Sequence, residues 1–372
     1  MDQNQTVDND FVQLARLALS GAKDDVHLFL RRMAKRHRSR HPKLAEGVLE
    51  LLRHSPTRVS PLRKEGVVAV PVDSDSRLQL LRIEQSPQPE VEPVFSSVVA
   101  AELGTLVRER KEFGRLHTAG LDPTRTVLFT GEPGVGKTLA ARWLAREIGA
   151  PLLILDLSAV MSSFLGRTGN NVRQVIEYAK GMECVLLLDE LDAIAKRRDD
   201  VTEIGELKRL VTVLLQEIDG WPPEGLIVAA TNHASLLDPA VWRRFERVVK
   251  FPMPDRGGLE MAIRRFLASD ADAVVGLERA LAVGLQGLSY SDVERLVVGA
   301  RRTSAVDGLP LRDRLVSMLG ERVKGLPKKD RVELAVQLVA GGGVSQRDAH
   351  ELTGVSRDTI RKLMRSEITL EN

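Results

Sequence analysis

The sequence is poor in cysteine, aromatic residues and long apolar runs. Its 372 residues include one cysteine, Cys184, which excludes an intrachain disulfide framework and suits a reducing compartment. Aromatic residues make up only 4%, a mild argument against a protein that stacks many nucleic-acid bases. No apolar run approaches the roughly 20 residues that span a bilayer, and the polar start MDQNQTVDND is not a signal peptide. We therefore expect a cytoplasmic protein with no membrane partner.

Acidic residues are scarce in one N-terminal stretch. Between Arg31 and Lys64, eleven Lys or Arg stand against two Glu, a net charge of +9, so the remainder of this +3 chain carries −6. The motif RRMAKRHRSRHPK in this stretch could bind nucleic acid or an acidic partner. Amphipathic helices normally have charged outer faces, so a solvated helix surface is the alternative that we favour.

The middle of the chain alternates between apolar runs and helical stretches. The runs lie between Phe95 and Pro254 and read TVLFT, PLLILDL, VLLLD, LIVAAT and RVVKF. This alternation predicts an α/β fold with a five-stranded parallel sheet wrapped by helices. Helical spacing covers about Asp10 to Arg53, Arg256 to about Lys324, and Lys328 to Ser366. The segment before Phe95 contains one or two candidate strands and a Pro-rich linker.

A glycine-rich motif follows the first of these runs. GEPGVGKT fits the phosphate-loop pattern and lies between the strand TVLFT and the helix LAARWLAREI, the context that this motif requires. Backbone N–H groups of such a loop bind phosphate oxygens, the Lys reaches the β- and γ-phosphates, and the Thr hydroxyl binds Mg²⁺. The alternative is a glycine-rich turn that binds nothing. The predicted nucleotide-binding residues are Gly131, Glu132, Pro133, Gly134, Val135, Gly136, Lys137, Thr138, Leu139 and Asp189.

Two adjacent acids end the apolar strand VLLLD. Asp189 and Glu190 would lie at the carboxyl edge of the parallel sheet, where ligands bind. Asp189 suits Mg²⁺ together with Thr138, and Glu190 could polarise the attacking water as the catalytic base. Such a pair, taken alone, is more often the start of a solvated loop, but the phosphate loop makes a metal and catalytic role the better interpretation.

From about Ser97 to Asp307 the chain resembles the AAA+ ATPases, and within them the AAA type. GEPGVGKT matches Walker A, VLLLDELD matches Walker B, and VAATNHASLLDPAV is similar to the second region of homology. The resemblance implies ATP and Mg²⁺ as cofactors, and it implies that Asn232 orients the attacking water. It also implies that GLSYSDVERLVVGARR belongs to a helical lid, where Tyr290 replaces the Gly of many relatives.

The segment WRRFERVV resembles the arginine-finger segment of the meiotic clade of AAA proteins. By this resemblance Arg243 and Arg244 are catalytic residues that reach the γ-phosphate held by a neighbouring subunit, so we expect a homo-oligomer, a hexamer. A guanidinium is always charged and binds phosphate oxygens two at a time. The alternative is that both arginines form surface ion pairs, the usual role of Arg on a loop.

A short aromatic loop points to a polypeptide substrate. In AAA proteins that act on polypeptides, an aromatic–hydrophobic–Gly triplet lines the central pore, and Phe164-Leu165-Gly166 matches it by position. The alternative is that Phe164 is a core residue, the usual role of a lone Phe. The chain also resembles small bacterial stand-alone AAA ATPases often encoded beside a protease or another effector. The resemblance thus implies ATP hydrolysis that remodels a protein substrate or a partner effector, such as a protease.

The C-terminal stretch VSQRDAHELTGVSRDTIRKLM has the pattern helix, turn, helix. It resembles the helix-turn-helix of DNA-binding regulators, although His350 takes a position usually held by a small residue. From Lys328 onward eight Lys or Arg stand against seven acids, so the electrostatic attraction to DNA is small. DNA is therefore a candidate partner, with a protein-docking helical hairpin as the alternative. A DNA-associated ATPase switch is the corresponding alternative function.

These observations together predict five regions. They are a helical N-terminal recruitment domain (1–60), a linker (61–94), a large α/β nucleotide-binding subdomain (95–254), a helical lid (255–326) and a helix-turn-helix-like C-terminal segment (327–372).

Overall fold

The computed structural model describes residues 81–157, 168–193, 204–341 and 343–368, and a few isolated positions before residue 50. The chain divides into two compact units, Met1–Val68 and Ala69–Asn372. Nearly all described residues belong to the second unit. The predicted aromatic triplet Phe164-Leu165-Gly166 and most of the basic N-terminal stretch lie outside the described residues. Among the described helices, none is long and apolar enough to cross a membrane.

A six-stranded sheet forms the centre of the second unit. Its strands lie in the order β1-β3-β4-β5-β2-β6, and they are β1 (Arg82–Glu84), β2 (Thr126–Thr130), β3 (Leu152–Asp156), β4 (Val185–Asp189), β5 (Leu226–Thr231) and β6 (Arg247–Lys250). Strands β2 to β6 are mutually parallel and coincide with the five predicted apolar runs, so the predicted fold class is confirmed. The sheet has one strand more than the five predicted. This strand, β1, lies in the predicted linker and pairs antiparallel with β3.

Helices cover both faces of the sheet because its parallel strands are apolar on both sides. They are α1 (Ser97–Lys111), α2 (Phe113–Thr118), α3 (Lys137–Ile148), α4 (Thr168–Lys180), α5 (Ile204–Asp219) and α6 (Pro239–Trp242). In β4, Leu187 packs in the core formed with α1 and α3, whereas Leu186 and Leu188 pack in the core formed with α4 and α5. This alternation follows from the two-residue period of a strand.

A helical lid follows the sheet. It consists of α7 (Arg256–Leu267), a 3₁₀ segment (Ala268–Val274), α8 (Leu277–Gly284), α9 (Tyr290–Asp307) and α10 (Leu311–Val323). Asp255 caps α7, since its Oδ1 accepts from the backbone N–H of Gly258 at 2.7 Å. The apolar faces of these helices share a core of their own, which includes Ile263, Leu281 and Val297. The helical stretch predicted after Arg256 is therefore present.

Three more helices complete the described chain: α11 (Lys328–Ala340), α12 (Gln346–Thr353) and α13 (Arg357–Ile368). Ala349 of α12 and Ile360 of α13 are fully buried in one small cluster. The small residue at the helix crossing is thus Ala349. His350 is exposed, and its Nδ1 lies 2.8 Å from the carbonyl oxygen of Val355. The C-terminal segment is not packed separately, because α11 also contributes Leu334 to the lid core. The predicted domain boundaries remain predictions.

Candidate functional site

A cavity of about 430 Å³ lies where the phosphate-loop segment meets the lid. Strand β2 ends at Thr130, and α3 begins at Lys137 after Gly136, whose φ of 97° lies in the left-handed region that favours glycine. Backbone N–H groups at the start of α3 have no partner within the helix, and together with the helix dipole they favour an anion. Every predicted nucleotide-binding residue from Pro133 to Leu139 lines this cavity.

Lys137 is almost fully buried, with 7% of its surface exposed, and its ammonium has three acceptors. Its Nζ donates to the carbonyl oxygens of Gly131 at 2.6 Å and Glu132 at 2.9 Å, and to Asn232 Oδ1 at 2.8 Å. Burial lowers the pKa of Lys137, and the nearby carboxylates, Asp189 first among them, oppose that shift. Three acceptors use all three protons of a charged ammonium, so Lys137 presents a positive charge to the cavity.

Asp189, the last residue of β4, and Glu190, which follows it, both line the cavity. Thr138 Oγ1 donates to Asp189 Oδ2 at 2.9 Å, which places the two predicted metal ligands side by side. Glu190 lines the cavity with an exposed side chain, and its φ of 55° is unusual for a non-glycine residue. Such backbone strain persists only where the surrounding structure imposes it, and it is frequent at functional sites. The carboxylate of Glu190 can therefore meet a ligand whose phosphates contact Lys137.

The oxygens of Thr138 and Asp189 are hard donors, which suit Mg²⁺. Within the described ranges, no group of three or more His, Cys, Asp or Glu side chains could hold a metal ion by itself. The remaining ligands of a magnesium ion here would have to be phosphate oxygens and water, the usual arrangement for this ion. The residues present thus fit Mg²⁺ delivered with a nucleotide.

Sequence reasoning missed Asp192, which is buried behind the cavity. Its Oδ1 accepts from Thr231 Oγ1 and from the backbone N–H of Asn232, each at 3.2 Å. The carboxylate therefore positions Asn232 at the end of β5. Asp192 is the second Asp of the motif VLLLDELD, three residues after Asp189, and only that spacing could have indicated it.

The lid closes the opposite side of the cavity. The backbone N–H of Ser291 in α9 donates to the Gly134 carbonyl oxygen at 3.2 Å, and a Cβ at Gly134 would lie only 2.4 Å from Ser289 Oγ. Arg265 of α7 lines the cavity and donates to the carbonyl oxygens of Glu92 and Pro93. Neither Arg265 nor this segment before α1 was predicted as part of the site, because their proximity depends on how the lid packs.

The structure does not bring Arg243 and Arg244 to the cavity, since neither is among its lining residues. Both lie just before β6, the edge strand of the sheet. Arg244 Nε donates to Asp219 at 2.8 Å with both side chains partly exposed, so one of the two arginines does form a surface ion pair. Arg243 is exposed and makes no ion pair with any residue in the described part of the chain. Their assignment as arginine fingers stays a prediction.

Comparison with known proteins finds similarity over the part of the chain that contains this site. Residues 127–253 match the model of the family described as "ATPase family associated with various cellular activities (AAA)". The chain is 38% identical over 216 residues to a protein of Sinorhizobium fredii named uncharacterized AAA family ATPase y4kL; the match covers 58% of this chain and 64% of that protein. It is 33% identical to the ATP-dependent zinc metalloprotease FtsH 3 of Sphaerobacter thermophilus, over 63% of this chain and 50% of that protein.

A third relative is the proteasome-activating nucleotidase of Pyrococcus horikoshii, which is 35% identical over 49% of this chain and 47% of that protein. The chain therefore spans less than two thirds of the length of each of these relatives. The region matched by the family model, residues 127–253, contains the phosphate loop, Asp189, Glu190 and Asn232.

Proposed function

Because the chain carries an AAA family ATPase domain, we propose that the protein is a Mg²⁺-dependent ATP hydrolase that works as a ring and remodels a protein substrate or a partner effector. The observation that carries the hydrolase proposal is the convergence of Lys137, the Thr138–Asp189 pair, Glu190 and Asn232 on one cavity. A phosphate chain, a metal ion and an attacking water all require groups of these types.

The contacts of Lys137 support a mechanism that begins with phosphate binding. The ammonium now donates to two loop carbonyls and to Asn232 Oδ1. A γ-phosphate would compete for these protons, because a charge-assisted bond to a phosphate oxygen is stronger than one to a neutral amide. Asn232, still held through its backbone by Asp192, would then be free to orient the attacking water.

Glu190 is the group that would take the proton from this water. Its side chain is exposed and lines the cavity next to Asp189, which accepts from Thr138. Thr138 and Asp189 would hold Mg²⁺, which would supply neutralisation of the charge that develops on the phosphates. The division of labour between the two acids follows from their neighbours: Asp189 is paired with a metal-binding hydroxyl, and Glu190 faces the ligand.

The positions of Arg243 and Arg244 support action between subunits. They lie at the edge of the sheet and away from the lining of the cavity in their own chain. An exposed arginine has little structural value by itself, whereas an arginine supplied to a neighbour's γ-phosphate strongly accelerates hydrolysis. We therefore propose a homo-oligomeric ring, a hexamer, in which these arginines complete the adjacent site.

The proposed substrate is a polypeptide, gripped by Phe164 in the pore. The relatives named as an ATP-dependent protease and a proteasome-activating nucleotidase support a link to proteolysis, so the partner effector is proposed to be a protease. The deciding experiment measures ATPase activity of the full chain alone, with an unfolded polypeptide and with duplex DNA. Stimulation by the polypeptide is expected. Stimulation by duplex DNA but not by the polypeptide would favour a DNA-associated ATPase switch over the remodelling of a protein substrate.

The variant Phe164→Ala makes this test sharper. We expect basal ATPase to stay within a few-fold of wild type and polypeptide-stimulated work to fall sharply, because the truncation removes an apolar contact worth on the order of a few kcal/mol. If Phe164 is a core residue, the same change should instead cost about 3–5 kcal/mol of stability. Phe113→Ala, which truncates a partly exposed ring on α2, is the matched control. A stable variant with normal stimulation would contradict both roles.

The second candidate is a DNA-associated ATPase switch targeted by α12 and α13. The observation that favours it is the solvent face of α13. Over residues 357–365, where the structure describes the side chains, Arg357, Arg361, Lys362 and Arg365 are exposed beside one exposed acid, Asp358. Burial of Ala349 also gives the helix crossing the small residue that a helix-turn-helix needs. In this function ATP would control assembly of the ring on DNA.

A further inference from the structure

Helix α11 packs into two cores at once. Leu334 and Leu338 are fully buried in the lid core, and Ala335 is fully buried in the small cluster that contains Ala349 of α12 and Ile360 of α13. Different stripes of one helix surface thus face the lid and the C-terminal helices. The C-terminal helices are therefore attached to the lid by the packing of α11 as well as by the chain connection.

Two glycine backbones meet at the end of α11. Gly276 lies directly before α8 with a φ of 84°, in the left-handed region that favours glycine. A Cβ on Gly341, which follows α11, would lie 2.6 Å from the carbonyl oxygen of Gly276, closer than real Cβ contacts. A Cβ on Gly276 would likewise collide with the carbonyl group of Gly341. Since backbone atoms cannot turn aside as a flexible side chain can, this contact fixes the end of α11 on the start of α8.

A network of ion pairs fixes the beginning of α11. Arg256, the first residue of α7, donates through Nη2 to Asp330 at 3.0 Å and through Nη1 to Glu333. Its Nε donates to Gln286 at 3.0 Å. A guanidinium that binds two carboxylates and an amide in one plane restricts the positions of all three partners. Helix α11 is thus tied to the lid at both of its ends.

Helix α12 has contacts to the lid of its own. Leu352 packs against the lid core, and a Cβ on Gly320 of α10 would lie 3.0 Å from its Cδ1. Arg312 of α10 donates to the carbonyl oxygen of Val275 at 3.2 Å, and a Cβ on Gly343 would lie 3.0 Å from its Nη1. One side chain therefore contacts both the segment before α8 and the segment before α12.

The lid to which these helices are attached also touches the phosphate loop. The backbone N–H of Ser291 in α9 donates to the carbonyl oxygen of Gly134, and residues of the loop, of α7 and of α9 all line the cavity. A ligand that enters the cavity therefore acts on the contacts between loop and lid. Because a close-packed core transmits a displacement and hardly absorbs it, helices that share the lid core should respond together.

We propose that α7 to α13 form one rigid body, and that a nucleotide bound at the phosphate loop moves α12 and α13 together with the lid. The inference rests on the proposed ATPase function and adds its regulation, since the exposed face of α13 changes its position relative to the sheet with the state of the site. By thermodynamic linkage, a partner that binds α13 in only one of these positions changes the affinity for nucleotide by the same factor as nucleotide changes the affinity for the partner.

Distances between spin labels in the full chain test the proposal. The labels are attached in pairs through Glu177→Cys in α4, Arg302→Cys in α9 and Arg361→Cys in α13, all at exposed positions. The natural Cys184 is buried, and burial raises its pKa to about 12, so it should take up no label. Labelled chains are diluted with unlabelled chains, and distances are measured by double electron–electron resonance with and without Mg²⁺ and the non-hydrolysable ATP analogue AMP-PNP.

The analogue should shift the distances from the α4 label to the α9 label and to the α13 label by at least about 2 Å, the size of helix shifts in switching proteins. The distance between the α9 label and the α13 label should stay constant, because both labels lie on the same body.

Gly341→Ala tests the packing itself and needs no nucleotide. The added methyl group collides with the backbone of Gly276, so this variant should lower Tm by several degrees and widen the distribution of distances between the α9 and α13 labels. Combining it with Arg256→Ala removes both ties of α11. The α13 label should then lose most of its response to the analogue, while the α9 label keeps its own. Gly299→Ala is the matched control in α9, because its Cβ would meet no described atom outside its own helix within 4 Å.

A change in the distance between the α9 and α13 labels on binding of the analogue would overturn the inference, because the C-terminal helices would then move by themselves. Unchanged distances from the α4 label, in a chain that titration shows to bind the analogue, would overturn it as well. Failure of the proposed function looks different: the wild-type chain would bind no analogue, while the effect of Gly341→Ala on the label distances would still be measured.

Discussion

At the scale of single residues, the site depends on side chains that already have partners before a nucleotide arrives. Lys137 is hydrogen-bonded to Asn232, and Thr138 to Asp189, so the groups proposed for phosphate, water and metal are linked in pairs. The Thr138–Asp189 pair needs little reorganisation when a ligand binds, which is the basis of electrostatic preorganisation, whereas Lys137 would exchange its bond to Asn232 for one to a phosphate oxygen. The hydrogen-bond partners of a side chain therefore indicate which step, binding or hydrolysis, its substitution should affect.

Lys137→Ala and Glu190→Gln should separate binding from hydrolysis. The first change removes the buried positive charge that lines the cavity and should abolish ATP binding, measured by titration. The second change keeps the shape of the site and should retain binding, while turnover falls by about 100-fold or more because the general base is lost. Glu190→Gln should therefore accumulate an ATP-loaded assembly, visible by size-exclusion chromatography.

The matched control is Glu177→Gln, an isosteric change at an exposed position of α4 that does not line the cavity. It should bind and hydrolyse ATP as the wild type does. Turnover by Glu190→Gln at the wild-type rate would show that the assignment of the base is wrong.

At the scale of elements, α9 and α13 show how differently the helices of this chain are used. The start of α9 touches the phosphate loop through Ser289 and Ser291, so its position is tied to the nucleotide site. Helix α13 buries Ile360 in the small C-terminal cluster and presents its other side to solvent. Helix α9 is therefore placed to respond to a nucleotide in the proposed site, whereas the function of α13 has to be tested separately.

Arg357 and Arg361 on α13 provide that separate test. If α13 enters a DNA groove, Arg357→Ala combined with Arg361→Ala should weaken binding to duplex DNA and reduce the slope of log affinity against log salt concentration by about 1 for each lost phosphate contact. Fluorescence anisotropy at several salt concentrations measures both quantities. Arg302→Ala, at an exposed position of α9, is the control and should change neither. Unchanged affinity in the double variant would favour a protein-docking role for α12 and α13.

At the scale of the whole molecule, the proposed mechanism divides the groups for ATP hydrolysis between two chains. The cavity contains Lys137, Glu190 and Asn232, but its lining lacks an arginine from the segment Arg243–Arg244. Developing charge on the γ-phosphate needs such a cation. The position of these arginines at the edge of the sheet supports a neighbouring subunit as the source of this cation.

Mixing two inactive variants tests this arrangement. Arg244→Ala subunits keep an intact phosphate loop, and Lys137→Ala subunits keep intact arginines, so some interfaces of a mixed ring should regain ATPase activity. The double variant, with both changes in one chain, should restore nothing when mixed with Arg244→Ala, because no intact arginine is then supplied. Absence of recovery at every mixing ratio, in rings shown to be mixed by mass measurement, would contradict action between subunits.

The parallel strands, the phosphate loop and the helical stretches could be predicted because each depends on residues close together in sequence. Strand β2, the glycines after it and the start of α3 follow one another directly, and apolar periodicity distinguishes strand from helix. Thr138 and Asp189 are distant in sequence, but a shared Mg²⁺ could be predicted for them because the carboxyl ends of parallel strands meet at one edge of the sheet.

Which distant residues meet depends on packing between elements. Candidate strands were predicted in the segment that contains β1, but the antiparallel pairing of β1 with β3 depends on a free sheet edge and has no local signal. Several contacts join elements that are separated along the chain. They are the contact of Tyr290 with Gly258, the hydrogen bonds of Arg265 to Glu92 and Pro93, and the hydrogen bond between Asp192 and Asn232. Local sequence patterns were enough to predict the elements and the chemistry of the phosphate loop. The packing of the lid on the loop formed the lid side of the cavity, because that packing satisfies many weak contacts at once and no local pattern encodes it.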